Sequence, residues 1–144
     1  MTEILDKLRD FDEIDAYESP SQGIAELPGN VRRFQATLRE KFDLDLKLSV
    51  MQDAAFYAYL SSRGDSGKRL HIRFSNFGRL ATIILRDDSR PDLHEMLVNL
   101  LEEYGFIYVP LEILDLAYTG PNKDFSKIVG KENPTWWDRY FNYI

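Results

Sequence analysis

Residues 44–50 have the sequence Leu-Asp-Leu-Lys-Leu-Ser-Val, and residues 70–75 have the sequence Leu-His-Ile-Arg-Phe-Ser. Apolar and polar side chains alternate in both stretches, which is the pattern of a strand with one buried face. Residues 54–60 continue the alternation. Residues 79–85 are apolar on both faces, so this strand is expected to be covered on both sides. Short turn-forming stretches join the segments, and the pattern predicts an antiparallel four-stranded meander over about residues 44–85.

Helices are predicted before and after this meander. Residues 2–11 and 31–42 carry apolar side chains at spacings of three and four, with Asn30 as the expected N-cap of the second helix. A third helix is expected after Pro91, with Asp92 and Glu95 as an N-terminal capping pair. Gly105 lies where a glycine commonly ends such a helix.

The last third of the chain is less regular. Residues 106–109 have the pattern of a short strand, whereas residues 110–134 leave helix and extended chain open. Thr135 is the expected N-cap of a terminal helix that is rich in aromatic residues and docks into the core. The sequence therefore predicts one α+β domain over residues 1–144, in which the meander packs with N-terminal, central and C-terminal helices.

Charge is segregated along the chain. The 144 residues contain 18 basic and 24 acidic side chains, for a net charge of −6. Residues 30–85 contain ten basic and five acidic residues, whereas residues 1–20 and 86–144 are acidic. An acidic total argues against general nucleic-acid binding, because phosphate contacts need a basic surface. With no cysteine, no long apolar run and no signal-peptide pattern, a cytoplasmic protein without membrane association is expected.

The sequence offers little for catalysis. The chain has no nucleophile-elbow motif and no Walker-type phosphate loop. Its two histidines, His71 and His94, are too few and too far apart for a histidine-rich metal site. His71 is expected on the outer face of the sheet, pairing with Tyr57 or Tyr59. We therefore predict no enzyme, no catalytic residue, no cofactor and no metal.

Two surfaces are candidates for binding a protein partner. The first is an acidic loop that contains one aromatic residue, with two further carboxylates before the third helix. Such carboxylates could pair with arginine or lysine side chains of a partner. Tyrosine and arginine are enriched at interface hot spots, which makes the outer sheet face the second candidate. The predicted contacts on the first surface are Asp12, Glu13, Asp15, Tyr17, Glu18, Asp87 and Asp88, and those on the second are Tyr57, Tyr59, His71 and Arg73.

The C-terminal half carries a family resemblance. Residues 104–110 have the sequence Tyr-Gly-Phe-Ile-Tyr-Val-Pro, residues 118–120 are Tyr-Thr-Gly, and residues 135–141 are Thr-Trp-Trp-Asp-Arg-Tyr-Phe. Over roughly residues 70–144 this order resembles bacterial immunity proteins of polymorphic or contact-dependent toxin systems. The resemblance implies a small, acidic, cytoplasmic protein that neutralises a cognate toxin, such as a nuclease, by binding and occluding it. It implies no particular binding residue.

Two other functions remain open at this point. One is an interaction module unrelated to toxins, in which two copies associate through the outer sheet face; the sequence is compatible with a monomer and with a homodimer. The other is a small ligand-binding or enzymatic domain whose site is assembled from distant residues. A deep pocket that joins a histidine to several carboxylates would favour the latter.

Overall fold

The computed structural model describes residues 2–10, 27–50, 56–62, 70–75, 79–85, 92–120 and 125–141. These residues form α-helices, a mixed sheet and short connections, so the α+β class is confirmed. The elements in chain order are α1 (Thr2–Asp10), α2 (Leu27–Phe42), β1 (Leu46–Val50), β2 (Phe56–Ser62), β3 (Leu70–Ser75), β4 (Leu80–Leu85), α3 (Leu93–Glu103), β5 (Ile107–Tyr108), α4 (Leu111–Leu114), α5 (Phe125–Val129) and α6 (Trp136–Tyr140).

The sheet has the strand order β1-β2-β3-β4-β5. Its first four strands pair in antiparallel fashion, which confirms the predicted meander. The register places Leu48 opposite Leu60, Leu60 opposite Ile72, and Ile72 opposite Ile83, so one apolar row crosses four strands. The short fifth strand pairs parallel to β4, and α3 supplies the crossover that a parallel pair requires.

The first face of the sheet, which carries this row, packs under α2 and α3. Val31, Phe34 and Leu38 form the buried stripe of α2 that the helical spacing predicted. The buried side of α3 adds leucines at its own helical spacing, and both helices share one apolar cluster with the sheet. Because each fully buried side chain of this size contributes about 1.5–3 kcal/mol, this layer supplies much of the stability.

Within the described ranges, the apolar cover on the second face of the sheet lies over β4 and β5. There α1, α4 and α6 form a second apolar cluster, which includes Leu8, Leu80, Trp136 and Tyr140. Residues 80–83 of β4 are all buried, which confirms the prediction that both faces of this strand are covered. The other half of the face, over β1 to β3, carries the polar rows of those strands. Of the side chains described there, that of Lys47 is exposed, that of Ser75 is buried, and those of Ser49, Tyr59, Ser61, His71 and Arg73 are half-buried.

Helix ends were predicted with mixed success. Helix α2 begins at Leu27, so Asn30 is not its N-cap but a buried residue of its first turns that accepts a hydrogen bond from Arg33. Asp92 has helical backbone angles and makes no side-chain cap, so that prediction is also wrong. Gly105 ends α3 with a φ of 85°, as expected. The backbone N–H of Thr135 donates to Asp138 Oδ2 at 2.9 Å, as in a capping box.

The region that the sequence left open contains two short helices, α4 and α5, in its described parts. Among the helices of the described ranges, none combines the length and the apolar character that crossing a membrane would require.

Candidate functional site

The predicted acidic contacts cannot be placed. Asp12, Glu13, Asp15, Tyr17, Glu18, Asp87 and Asp88 lie outside the described residues, as does the side chain of Tyr57. Their part in binding stays a prediction. The other residues of the second candidate surface are described and can be compared with what the sequence indicated.

Tyr59, His71 and Arg73 lie together on the second face of the sheet, in the half that is formed by β1 to β3. The rings of Tyr59 and His71 stack, with centroids 4.7 Å apart and an angle of 16° between their planes. His71 is opposite Ser61 in the strand register, so its stacking on Tyr59 is a diagonal contact between neighbouring strands. The three side chains are half-buried, which leaves part of each accessible to solvent.

Arg73 binds the C-terminal helix. Its Nη1 donates to the carbonyl oxygen of Phe141 at 2.7 Å, and its guanidinium carbon lies 4.9 Å from the ring centroid of Trp137. Its Nε donates to Nε2 of His71 at 3.3 Å. These contacts give Arg73 a structural role, because they connect α6 to β3 at the margin of the covered half.

His71 is a neutral member of this group. Burial, and to a smaller extent the positive charge of Arg73, together lower its pKa from 6.5 to about 4. The neutral ring accepts the Arg73 hydrogen bond at Nε2, which places its own proton on Nδ1. The surface therefore carries aromatic and polar groups, and the imidazole adds no charge to it at neutral pH.

A groove on the other side of the molecule was not predicted. It lies between the end of α2 and one side of α3, and it has a volume of about 430 Å³. Phe42, Met96 and Leu100 form its apolar lining. Its polar lining consists of the exposed side chains of Asp92, Glu95, Asn99 and Glu103. Three of these four side chains are carboxylates. We call these seven residues the acidic groove.

The spacing along α3 explains the acidic groove. Its four polar residues follow one another at intervals of three or four, so they form one stripe along the helix. Met96 and Leu100 form a parallel stripe beside it, toward the core. This polar stripe is visible in the sequence, but its meeting with Phe42 of α2 depends on how the two helices pack.

The acidic groove is suited to a basic, partly apolar ligand. Carboxylates at an exposed rim attract arginine and lysine, whereas the apolar lining can bury an aromatic or aliphatic side chain. In the part of the chain that the structure describes, no group of three or more histidine or acidic side chains is placed to hold a metal ion. Nε2 of His94 lies 2.9 Å from the hydroxyl oxygen of Tyr108, at hydrogen-bond distance.

Comparisons with known proteins complete the description of the site. No protein-family model matches the chain, and neither the search of curated proteins nor the search of solved structures found a match.

Proposed function

We propose that this protein is an immunity protein, which neutralises a cognate bacterial toxin in the cytoplasm by binding the toxin and occluding its active surface. The observation that carries the proposal is the acidic groove, which combines three exposed carboxylates with an apolar lining. The class of protein is proposed from the resemblance of the C-terminal half to immunity proteins. The proposal assigns no catalytic residue and no cofactor to the chain.

The electrostatics support a basic partner. A net charge of −6 attracts a positively charged surface over a distance set by the salt concentration. A toxin that acts on nucleic acid needs a basic cleft, and an acidic protein bound at that cleft competes with the phosphates. The apolar lining formed by Phe42, Met96 and Leu100 would receive an anchoring side chain of the toxin.

The acidic groove fits this function better than the outer sheet face. On that face the guanidinium of Arg73 already binds Phe141, Trp137 and His71 within the chain. The groove residues Asp92, Glu95 and Glu103 are exposed and carry charge of one sign. The acidic stretch from Asp12 to Glu18 stays a second predicted contact of the same charge.

Glu103 offers a sharp test because Glu102 is its matched control. Both carboxylates are exposed in the last turn of α3, but only Glu103 lines the groove. Glu103→Gln should weaken the complex with the toxin domain encoded by the neighbouring gene about two- to fivefold at low salt, and less at high salt. Glu102→Gln should leave affinity unchanged.

The measurements are calorimetric affinity and the survival of cells that express the toxin domain. Both variants should keep their stability, because a carboxylate at a helix C-terminus opposes the helix dipole and its removal is neutral or favourable. The proposed function is wrong if the wild-type protein neither binds that toxin domain nor protects the cells. If both variants weaken the complex equally, the groove does not contact the toxin, and only the total charge of the protein matters.

A further inference from the structure

The outer edge of β1 is a second feature that could bind a partner. In the described sheet, β1 pairs with β2 alone. One of the two rows of backbone N–H and C=O groups in Leu46–Val50 therefore faces away from the sheet. Such a row is a template for another strand, because main-chain hydrogen bonds form there whatever the sequence of the added segment.

The apolar row of β1 reaches this edge. Leu46 is 3% exposed and lies within the core, whereas Val50 at the other end of the strand is 42% exposed. Val50 is one of only two large apolar residues in the described ranges that are exposed to this extent, the other being Leu116. An apolar side chain on an added strand would cover Val50.

Basic side chains flank the edge on both sides. Gln35 of α2 donates from Nε2 to the carbonyl oxygen of Leu46 at 2.9 Å, so this side of the helix lies next to β1. Arg32 and Arg39 lie three residues before and four residues after Gln35, on the same side of the helix, and both are exposed. On the opposite face of the sheet, Lys47 is exposed and so is Asp45 two residues before it, so the excess positive charge beside the edge comes from Arg32 and Arg39.

We propose that the β1 edge binds an extended acidic segment of a partner protein, which adds to the sheet as a sixth strand. Its backbone would pair with the groups of Leu46–Val50 that face away from β2, apart from the Leu46 carbonyl oxygen that Gln35 already binds. Its carboxylates would meet Arg32 and Arg39 on one face and Lys47 on the other. An apolar residue of the segment would cover Val50. This inference does not rest on the proposed immunity function, since the acidic groove and the β1 edge carry opposite charge.

A second copy of the chain fits this edge less well. Pairing β1 with its own copy would bring each set of basic side chains close to the other set. Lysine on an edge strand ordinarily opposes pairing between identical edges. The same positive charge is complementary to carboxylates, which selects an acidic strand.

The binding test uses the full 144-residue chain and a synthetic peptide of roughly seven residues, which carries glutamate on both faces of the strand and one valine placed to cover Val50. In a nuclear magnetic resonance titration, the peptide should shift the amide signals of Leu46–Val50 and slow the hydrogen exchange of those N–H groups that face away from β2. A matched peptide with every second amide N-methylated keeps the charge but loses hydrogen bonds, and it should bind at least tenfold more weakly. A peptide with lysine in place of glutamate should not bind.

Matched variants of the protein separate the edge from general charge. The double variant Arg32→Gln/Arg39→Gln should weaken binding of the acidic peptide about three- to tenfold at low salt. Arg33→Gln removes one positive charge from the same helix on a side away from Gln35, so it is compared with the single variants Arg32→Gln and Arg39→Gln, and it should change affinity less than either. Equal binding of the N-methylated peptide, or equal loss in the Arg33 variant, would overturn the proposal. A dimer in sedimentation that protects the β1 amides and resists the acidic peptide would also overturn it.

Discussion

The two faces of the sheet are stabilised in different ways. On the first face, the side chains that β2 to β4 present to α2 and α3 are apolar except for the half-buried Ser62, and the rings of Phe34 and Phe74 pack edge to face with centroids 6.0 Å apart. On the second face, the apolar cluster of the described residues covers β4 and β5, and hydrogen bonds lie among and beside its contacts. Hydrophobic packing is nondirectional, whereas these hydrogen bonds fix particular segments in place.

Three hydrogen bonds show how the second face is assembled. The Tyr140 hydroxyl donates to the carbonyl oxygen of Leu8 at 2.6 Å, which connects α6 with α1. Thr82 Oγ1 donates to the carbonyl oxygen of Val109 at 2.8 Å, beside β5. Arg73 binds the carbonyl oxygen of Phe141. Each bond joins segments that are far apart in sequence, so single side chains fix particular segments of the second face to one another.

The largest effect should come from the first face. Phe34→Ala removes a fully buried ring that contacts Phe74, Tyr104 and Phe106 edge to face. We expect it to lower the free energy of unfolding by about 3–5 kcal/mol, because it combines lost burial with a new cavity. Urea denaturation measures the change, and Phe34→Leu should lose clearly less. A loss below about 1 kcal/mol for Phe34→Ala would mean that this layer is loosely packed.

His71 should give the second face a pH-dependent contribution to stability. Burial and Arg73 lower the pKa of His71 from 6.5 to about 4, so the unfolded chain binds a proton there before the folded chain does. Stability is therefore fully present above pH 6.5 and falls as the pH decreases toward 4. Between about pH 7 and about pH 5 we expect a loss of about 1–2 kcal/mol from this group, allowing for its partial exposure.

Urea denaturation at several pH values measures this slope, with His71→Gln as the comparison. Glutamine can accept the Arg73 hydrogen bond but does not titrate, so the variant should have a flatter profile even if its stability at neutral pH is lower. Parallel profiles for the two proteins would show that His71 is not held neutral by its surroundings.

The same contrast explains how much of the structure could be predicted from the sequence. The first face follows from residue periodicity, since alternation in 44–50 and 70–75 and the α2 stripe of Val31, Phe34 and Leu38 are local patterns. The stacking of His71 on Tyr59 was anticipated, because neighbouring strands of a meander bring such residues together. Local signals near helix ends were weaker, as the incorrect caps at Asn30 and Asp92 show.

Contacts between distant segments could not be predicted. Nothing near Arg73 indicates that its guanidinium lies 4.9 Å from the ring centroid of Trp137, because that contact depends on where α6 docks. The acidic groove is an intermediate case. Its stripe from Asp92 to Glu103 is local, but Phe42 joins it only through the packing of α2 beside α3. The packing of two helices depends on residues from distant parts of the chain, so no short stretch of the sequence indicates it.

The smallest effect tests whether the second face is held by individual hydrogen bonds. Tyr140→Phe keeps the buried ring but removes the donor to the Leu8 carbonyl, which is then left without that partner. We expect the free energy of unfolding to fall by about 1 kcal/mol, because the net contribution of one hydrogen bond to stability is about that large. Hydrogen exchange should speed up in α1 more than in α2, because the lost hydrogen bond joins α1 to α6 and does not involve α2. If exchange rises equally in both helices, the substitution weakens the whole fold, and the bond does not secure α1 in particular.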